Sequence, residues 1–303
     1  TIVYNYIKDM KCHGIIHEDP VKKMMEVADP VGLICGIVPS TNPTSTVIYK
    51  SMIALKAHNA IVFSPHPSAL QCTLKAATLM CEAAVAAGAP ENVISCVSKP
   101  SMGATDELMK CKETMLIIAT GGPGMVKAAY SAGKPALGVG AGNSPSYIER
   151  TADVHQSVKD ILASKTFDYG TVCASEQSVI CEECNRDAVI AEFKKQGGYF
   201  MTAEETAKVC SLLFKNGGHS MSAKFVGRSP QVIATAAGIN IPEGTRVLIG
   251  EQQGVGDGYP LSYEKLTSVL AFYTVRDWHE ACELSIKLLQ NGIGHTMNIH
   301  TND

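Results

Sequence analysis

Among the 11 cysteines of the chain, Cys173 has a setting suited to nucleophilic chemistry. It lies in Lys165-Thr-Phe-Asp-Tyr-Gly-Thr-Val-Cys-Ala-Ser175, a small, polar stretch between a helical pattern and a strand pattern. A loop at a sheet edge offers access and backbone N–H groups, and a thiolate nucleophile needs both. The other cysteines sit in apolar stretches and read as small core hydrophobes. A second candidate is Pro39-Ser40-Thr41-Asn42-Pro43-Thr44-Ser45, at the end of an apolar run. Asn42 is placed there to offer an amide donor to a developing oxyanion. The same residues also make an ordinary turn into a helix, with Thr44 or Ser45 as N-cap. In a third segment, Thr120-Gly121-Gly122-Pro123-Gly124 closes the run Met115–Ala119 and a helical pattern begins at once. Glycines let a backbone approach a bound group, and a helix amino end favours a pyrophosphate. The run does not fit G-x-G-x-x-G, and a tight turn without a ligand suits these residues as well. Cys181-Glu-Glu-Cys184 has one metal-like spacing but lacks the second pair that a structural zinc site requires, so no metal is expected.

The elements that must position these groups alternate. Strands are expected at Gly32–Val38, Ala60–Ser64, Val93–Val97, Met115–Ala119 and Ala136–Val139, with helices at Ser45–Lys56, Ser68–Ala87 and Met125–Ala132. After Lys165 the pattern resumes, with strands at Gln177–Cys181, Arg246–Ile249, Ser268–Thr274 and Thr296–His300. Helices at Arg186–Gln196, Ala203–Lys215, Ser229–Ala237 and Asp277–Leu289 separate them. Strands alternating with helices indicate α/β units with parallel sheets, which bind ligands at the carboxyl ends of their strands. The glycine- and proline-rich segment Gly138–Pro145 reads as a hinge, dividing the chain into domains 1–141 and 142–303.

With 303 residues, 46% of them apolar, the chain has ample material for two buried cores. A formal charge of −3 supplies no general affinity for a phosphate backbone, which argues against nucleic acid as a partner. The longest uncharged window, Val31–Tyr49, is interrupted by Pro39 and Pro43, so no membrane span is expected. An odd number of scattered cysteines with no secretory leader before them points to reduced thiols and a cytoplasmic location.

The blocks Ile37-Val-Pro-Ser-Thr-Asn-Pro-Thr-Ser-Thr46, Phe63-Ser-Pro-His-Pro67, Ala119-Thr-Gly-Gly-Pro-Gly-Met-Val-Lys-Ala-Ala129, Gly138-Val-Gly-Ala-Gly-Asn-Ser-Pro145, Cys173-Ala-Ser-Glu-Gln177 and Glu264-Lys-Leu266 occur in that order. Together they resemble the CoA-acylating branch of the aldehyde dehydrogenase superfamily, over nearly the whole chain. The resemblance implies an aldehyde dehydrogenase-like fold, with a Rossmann-like cofactor domain and an α/β catalytic domain. It implies that Cys173 is the nucleophile, Asn42 the oxyanion-hole amide and His295 an assisting histidine. The turn at Gly121 and Gly122 would lie near the pyrophosphate of NAD or NADP, and Glu264 would hold the nicotinamide ribose. Ser40, Thr41, Ser64, His66 and Gly140 complete the expected cofactor-binding set. Without the resemblance, Glu264 would read as a solvated charge, His295 as structural and His66 as a loop residue.

Two departures bear on the reaction. Hydrolytic relatives carry a glutamate base where alignment on Gly142-Asn-Ser-Pro145 places Val139. Water needs a base, whereas a thiol of ordinary pKa supplies some thiolate unaided, so coenzyme A is favoured as acyl acceptor. Hydrolytic relatives also place Lys and Glu on the adenosine ribose where this chain has Ser64 and Pro67, which leaves NAD against NADP open. The expected activity is reversible oxidation of a short-chain aldehyde to acyl-CoA by a homo-oligomer, cytoplasmic or within a bacterial microcompartment. A hydrolytic or glutamyl-phosphate reductase-like member of the superfamily, or a non-catalytic assembly fragment, are the alternatives. The resemblance also implies further chain before Thr1 and after Asp303.

Overall fold

The computed structural model describes residues 2–215, 220–290, 292 and 295–303. The chain divides into two compact units, Thr1–Gly140 and Ala141–Asp303. The first opens with a short helix, α1 (Ile2–Ile7), and an antiparallel pair, β1 (Gly14–Asp19) and β2 (Met24–Ala28). Ile15, Ile16, Met24, Met25 and Val27 of that pair are exposed. No core imposes an alternation on it, so its sequence carries no two-residue period to read.

Then follow β3 (Leu33–Val38), α2 (Pro43–Lys56), β4 (Ala60–Pro65), α3 (Leu70–Ala86), β5 (Ile94–Cys96), α4 (Met102–Lys110), β6 (Thr114–Thr120), α5 (Pro123–Tyr130) and β7 (Ala136–Val139). The five strands pair in parallel in the order β5-β4-β3-β6-β7. Both faces are covered. Ile34 and Val38 of β3 pack with Val47, Ala54, Ala76 and Ala77 of α2 and α3, while Cys35 and Ile37 pack with Met109 and Ala129 of α4 and α5. Burial on two faces explains why β3 reads as an unbroken apolar run. The chain runs from β3 outward to β5, then returns to the other side of β3 for β6. A crevice therefore opens at the carboxyl ends of β3 and β6.

The second unit comprises β8 (Ser144–Ile148), α6 (Val154–Thr166), β9 (Glu176–Glu182), α7 (Arg186–Lys195), β10 (Gly198–Phe200), α8 (Ala203–Leu213), β11 (Phe214–Lys215), β12 (Ser220–Met221), α9 (Pro230–Ala237), β13 (Val247–Glu251), β14 (Val269–Val275), α10 (Trp278–Leu289) and β15 (Asn298–His300). Its main sheet is parallel in the order β10-β13-β14-β9-β8-β15. One face packs Val158, Ile161 and Leu162 of α6 with Val189 and Phe193 of α7; the other packs Val209 and Leu213 of α8 with Ile233 of α9.

The structure corrects three expectations. Of the cysteines expected in the core, Cys35 and Cys181 are buried, whereas Cys72, Cys184 and Cys282 are exposed. Ser144 and Pro145, expected within the hinge, begin a fully buried strand flanked by β9 and β15. Pro145 has no N–H to give, and the ladder with β9 shifts register between Ser144 and Pro145. Burial outweighs the local turn chemistry there, leaving residues 140–143 outside the strands. Helix α2 begins two residues earlier than expected: Asn42 is its N-cap and Pro43 occupies the first turn, where a missing N–H costs nothing.

Candidate functional site

In the second unit, Gly142 lies just before β8, Cys173 before β9, Glu264 before β14 and His295 before β15. Those strands are neighbours in the order β14-β9-β8-β15 and all run the same way. The parallel topology thus gathers residues 142, 173, 264 and 295 at the amino ends of four adjacent strands. Contacts confirm this convergence. The Gly142 N–H donates to Glu264 Oε1 at 2.7 Å. A Cβ on residue 142 would collide with the Cys173 carbonyl oxygen and come within 3.4 Å of the His295 ring, so only glycine lets these segments meet.

Cys173 is half-buried. Its thiol pKa is raised, first by burial and then by the Glu264 carboxylate; hydrogen bonding from the backbone N–H groups of Cys173 and Ala174 pulls it back. Burial pushes the Glu264 carboxyl up to about 7, against the Gly142 N–H and the charges of Lys165 and Lys265. The chain enters this loop through Asp168 (φ 49°), Tyr169 (φ 50°) and Gly170 (φ 76°), consecutive residues in the left-handed region. For Asp168 and Tyr169 that conformation is strained, and such strain is held where the surroundings over-determine it. Thr171 Oγ1 donates to Asp168 Oδ2 at 2.7 Å and fastens the turn. His295 is half-buried and its Nδ1 has no hydrogen-bond partner among the described residues, while burial lowers its pKa.

In the first unit, a cavity of about 290 Å³ opens at the carboxyl ends of β3, β4 and β6, lined by Pro39, Ser64, His66, Thr120, Gly121 and Gly122, among others. Ser64 is buried and shares a hydrogen bond of 2.8 Å with Thr105. His66 is exposed; its Nδ1 accepts from the Ser68 N–H and shares a bond of 2.7 Å with Ser68 Oγ, capping the turn at Pro67–Ala69. Gly122 is the N-cap of α5 and makes no side-chain cap bond, and a Cβ there would meet nothing within 4 Å. Thr120 Oγ1 is buried without a partner among the described residues.

Ser40, Thr41 and Asn42 follow β3 but lie outside the lining of that cavity. The Asn42 side chain is exposed and accepts only long bonds, 3.4 Å each, from Thr41 and Thr46 hydroxyls. Gly140 ends the first unit just after β7.

Four residues that sequence reasoning passed over belong with these groups. Lys50 is fully buried and its Nζ donates to the carbonyls of Ile37 on β3 and Ile118 on β6, 2.8 Å each, pinning the two strands that frame the crevice. Lys165, Gln177 and Lys265 are fully buried beside the segment carrying Glu264. Two of the lysines, Lys50 and Lys165, had a signal. Val47, Lys50, Ser51 and Ala54, and likewise Val158, Ile161, Leu162 and Lys165, occupy one helical stripe, so each lysine sits at an apolar position. Among the described residues no group of three or more His, Cys, Asp or Glu side chains is placed to hold a metal ion, and no helix is long and apolar enough to cross a membrane.

The family model described as "Aldehyde dehydrogenase family" matches residues 3–202. The chain is 48% identical over 300 residues to the bifunctional aldehyde-alcohol dehydrogenase AdhE of Escherichia coli (strain K12), covering 99% of this chain and 33% of that protein. Its structure superposes on an acetylating aldehyde dehydrogenase from Geobacillus thermoglucosidasius with a TM-score of 0.95 at 56% identity, covering 99% of this chain and 66% of the other. A propionaldehyde dehydrogenase of Rhodopseudomonas palustris, determined with bound CoA and an acylated cysteine, gives a TM-score of 0.82 at 32% identity over 91% of this chain and 62% of that one. The chain therefore spans a third of the first relative and about two thirds of the second.

Proposed function

Because the chain belongs to the aldehyde dehydrogenase family, we propose that it is part of a CoA-acylating aldehyde dehydrogenase, which oxidises a short-chain aldehyde reversibly to acyl-CoA with NAD or NADP. The observation that carries this reading is the seat of Cys173: a half-buried thiol beside its own and the Ala174 N–H groups, with Gly142, Glu264 and His295 converging on its segment.

The first unit fits a nicotinamide dinucleotide. The open backbone at Gly122, the uncapped amino end of α5 and the Thr120 hydroxyl, which has no partner among the described residues, together offer a cradle for an anionic group at the crevice. Gly121 and Gly122 would hold the pyrophosphate and Glu264 the nicotinamide ribose; Ser40, Thr41, Ser64, His66 and Gly140 would complete the cofactor-binding set. When bound, the nicotinamide supplies a hydride acceptor.

The Cys173 thiolate adds to the aldehyde carbonyl carbon, and the displaced electron pair becomes an oxyanion. That oxyanion accepts a hydrogen bond from the Cys173 N–H; Asn42 is the second donor that the resemblance of its block assigns. As the carbonyl re-forms, hydride leaves the carbon and the acyl group remains as a thioester on Cys173. The CoA thiolate then adds to that thioester and Cys173 departs as thiolate, exchanging one thioester for another. Val139, at the position of the hydrolytic glutamate, carries no carboxylate to deprotonate water, which favours the thiol acceptor. His295, whose Nδ1 has no partner among the described residues, is assigned an assisting part in these transfers. We further assign a homo-oligomeric state, as the resemblance implies, and a cytoplasmic location, in keeping with scattered unpaired cysteines.

Cys173→Ala is expected to abolish aldehyde- and CoA-dependent nucleotide reduction, and retained turnover overturns the reading. Omitting CoA should stop wild-type turnover; continued reduction would identify water as the acceptor.

A further inference from the structure

Lys165, Gln177 and Lys265, which the chemistry above leaves unused, are each 0% exposed. Lys165 lies in the last turn of α6, Gln177 is the second residue of β9, and Lys265 follows Glu264. Gln177 Oε1 accepts from the Lys265 backbone N–H at 2.8 Å and from Lys165 Nζ at 3.3 Å. Lys165 Nζ also donates to the Lys265 carbonyl at 2.8 Å. Both backbone polar groups of Lys265 are thereby held from two different elements. Lys265 Nζ itself turns back to the carbonyls of Leu261 and, at 2.7 Å, Tyr263, closing the loop ahead of Glu264. Gln177 Nε2 has no partner among the described residues, so the side chain acts through its oxygen.

Burying an ammonium group costs on the order of several kcal/mol before its partners compensate. An apolar side chain would fill the same space without that cost. For Lys165 the compensating bonds run to the Lys265 carbonyl and to Gln177 Oε1, which in turn holds the Lys265 N–H. We propose that Gln177 and Lys165 are positioning residues that clamp the Lys265 backbone and so hold the Glu264 carboxyl against Gly142 and the Cys173 segment. The catalytic consequence, a correctly placed carboxylate for the nicotinamide ribose, rests on the reading given under Proposed function.

The geometry predicts a signature that requires neither nucleotide nor turnover. Glu264 is the charged group that faces the Cys173 thiol and raises its pKa; burial raises it further, and two backbone N–H groups lower it. Lys165 and Lys265 in turn face Glu264, and Glu176 faces Lys165. Releasing the clamp moves the carboxylate away, and the thiol becomes easier to ionise. The test is the pH profile of Cys173 alkylation by iodoacetamide in the intact protein, followed by mass spectrometry of the Cys173 peptide.

Gln177→Leu should displace the profile to lower pH, giving about threefold faster alkylation at pH 7 for a half-unit shift. Lys165→Met, which removes the other end of the clamp, should move it the same way and serves if the first variant fails to fold. Gln177→Glu keeps the acceptor oxygen and should show no downward displacement. Leu213→Ala, a core truncation in the same unit, controls for general loosening and should leave the profile in place. An unmoved profile in the variants that cut the clamp, or an equal displacement in Gln177→Glu or Leu213→Ala, overturns the proposal. Failure of the unmodified protein to reduce nucleotide with aldehyde and CoA would overturn the functional reading and leave the alkylation result standing.

Discussion

Cys173 is set apart from the other cysteines by place more than by acidity. Burial pushes Cys35 and Cys181 up to about 12. Cys173 is also raised, yet it adjoins Gly142 and faces Glu264 at the strand ends. Asn42 separates function from stability more sharply. As N-cap of α2 it makes no side-chain cap bond, and its other side-chain bonds are long, so the amide contributes little to the helix. Asn42→Ala should therefore leave Tm within experimental error while lowering kcat by about 10²–10³, the usual loss for one oxyanion donor. Steady-state kinetics beside a thermal melt checks this; a large fall in Tm with unchanged kcat would assign Asn42 a structural part instead. Cys173 and the glycine turn were legible from residue types and spacing. Lys165 has its signal in the apolar stripe of α6, whereas Gln177 and Lys265 have none, because what matters there is which backbone groups packing brings within reach.

The elements were read well where burial imposes a period. Apolar runs marked β3, β4 and β6, and three-and-four spacing marked α2, α3 and α10, because each packs against a core. Strand β8 was hidden inside a glycine- and proline-rich segment whose local chemistry favours a turn. Only its insertion between β9 and β15 makes that segment a strand. The same crossing brings residue 142 against the Cys173 carbonyl, which excludes any side chain larger than hydrogen. Gly142→Ala should force the two backbone segments apart, cost about 1–3 kcal/mol in denaturant unfolding, and abolish turnover even in the folded fraction. An active variant of wild-type stability would show that the close approach is dispensable.

At the scale of the whole molecule, buried ionisable groups set how stability varies with pH. Burial pulls Lys50 and Lys165 down to about 7 from 10.5, and Lys265 is lowered in the same direction. Between pH 7 and 9 the unfolded lysines keep protons that the folded ones have lost, so stability rises with pH, by at most about 1.4 kcal/mol per unit for each lysine. Above pH 9 the sign reverses: Cys35 and Cys181 at about 12, with Cys96 and Cys210 at about 11, hold protons that the unfolded thiols release. Glu264, raised to about 7, holds its proton in the folded state from about 4.5 upward, so its contribution falls as pH rises toward neutrality. Denaturant unfolding should accordingly show stability climbing from pH 7 to 9. Lys50→Met should flatten that slope, and an unchanged slope would contradict the buried, partly neutral state of Lys50.

Sequence alone determined the alternation of strands and helices, the presence of the thiol and glycine motifs, and the family, because these rest on local periodicity and on short ordered blocks of residues. The tertiary structure decided which of those motifs meet. Residues 142, 173, 264 and 295 lie far apart in the chain and become neighbours because β14, β9, β8 and β15 are laid side by side in one direction. It also decided that three lysines are buried and committed to backbone carbonyls, since solvation and hydrogen-bond partners are properties of packing that residue type does not carry.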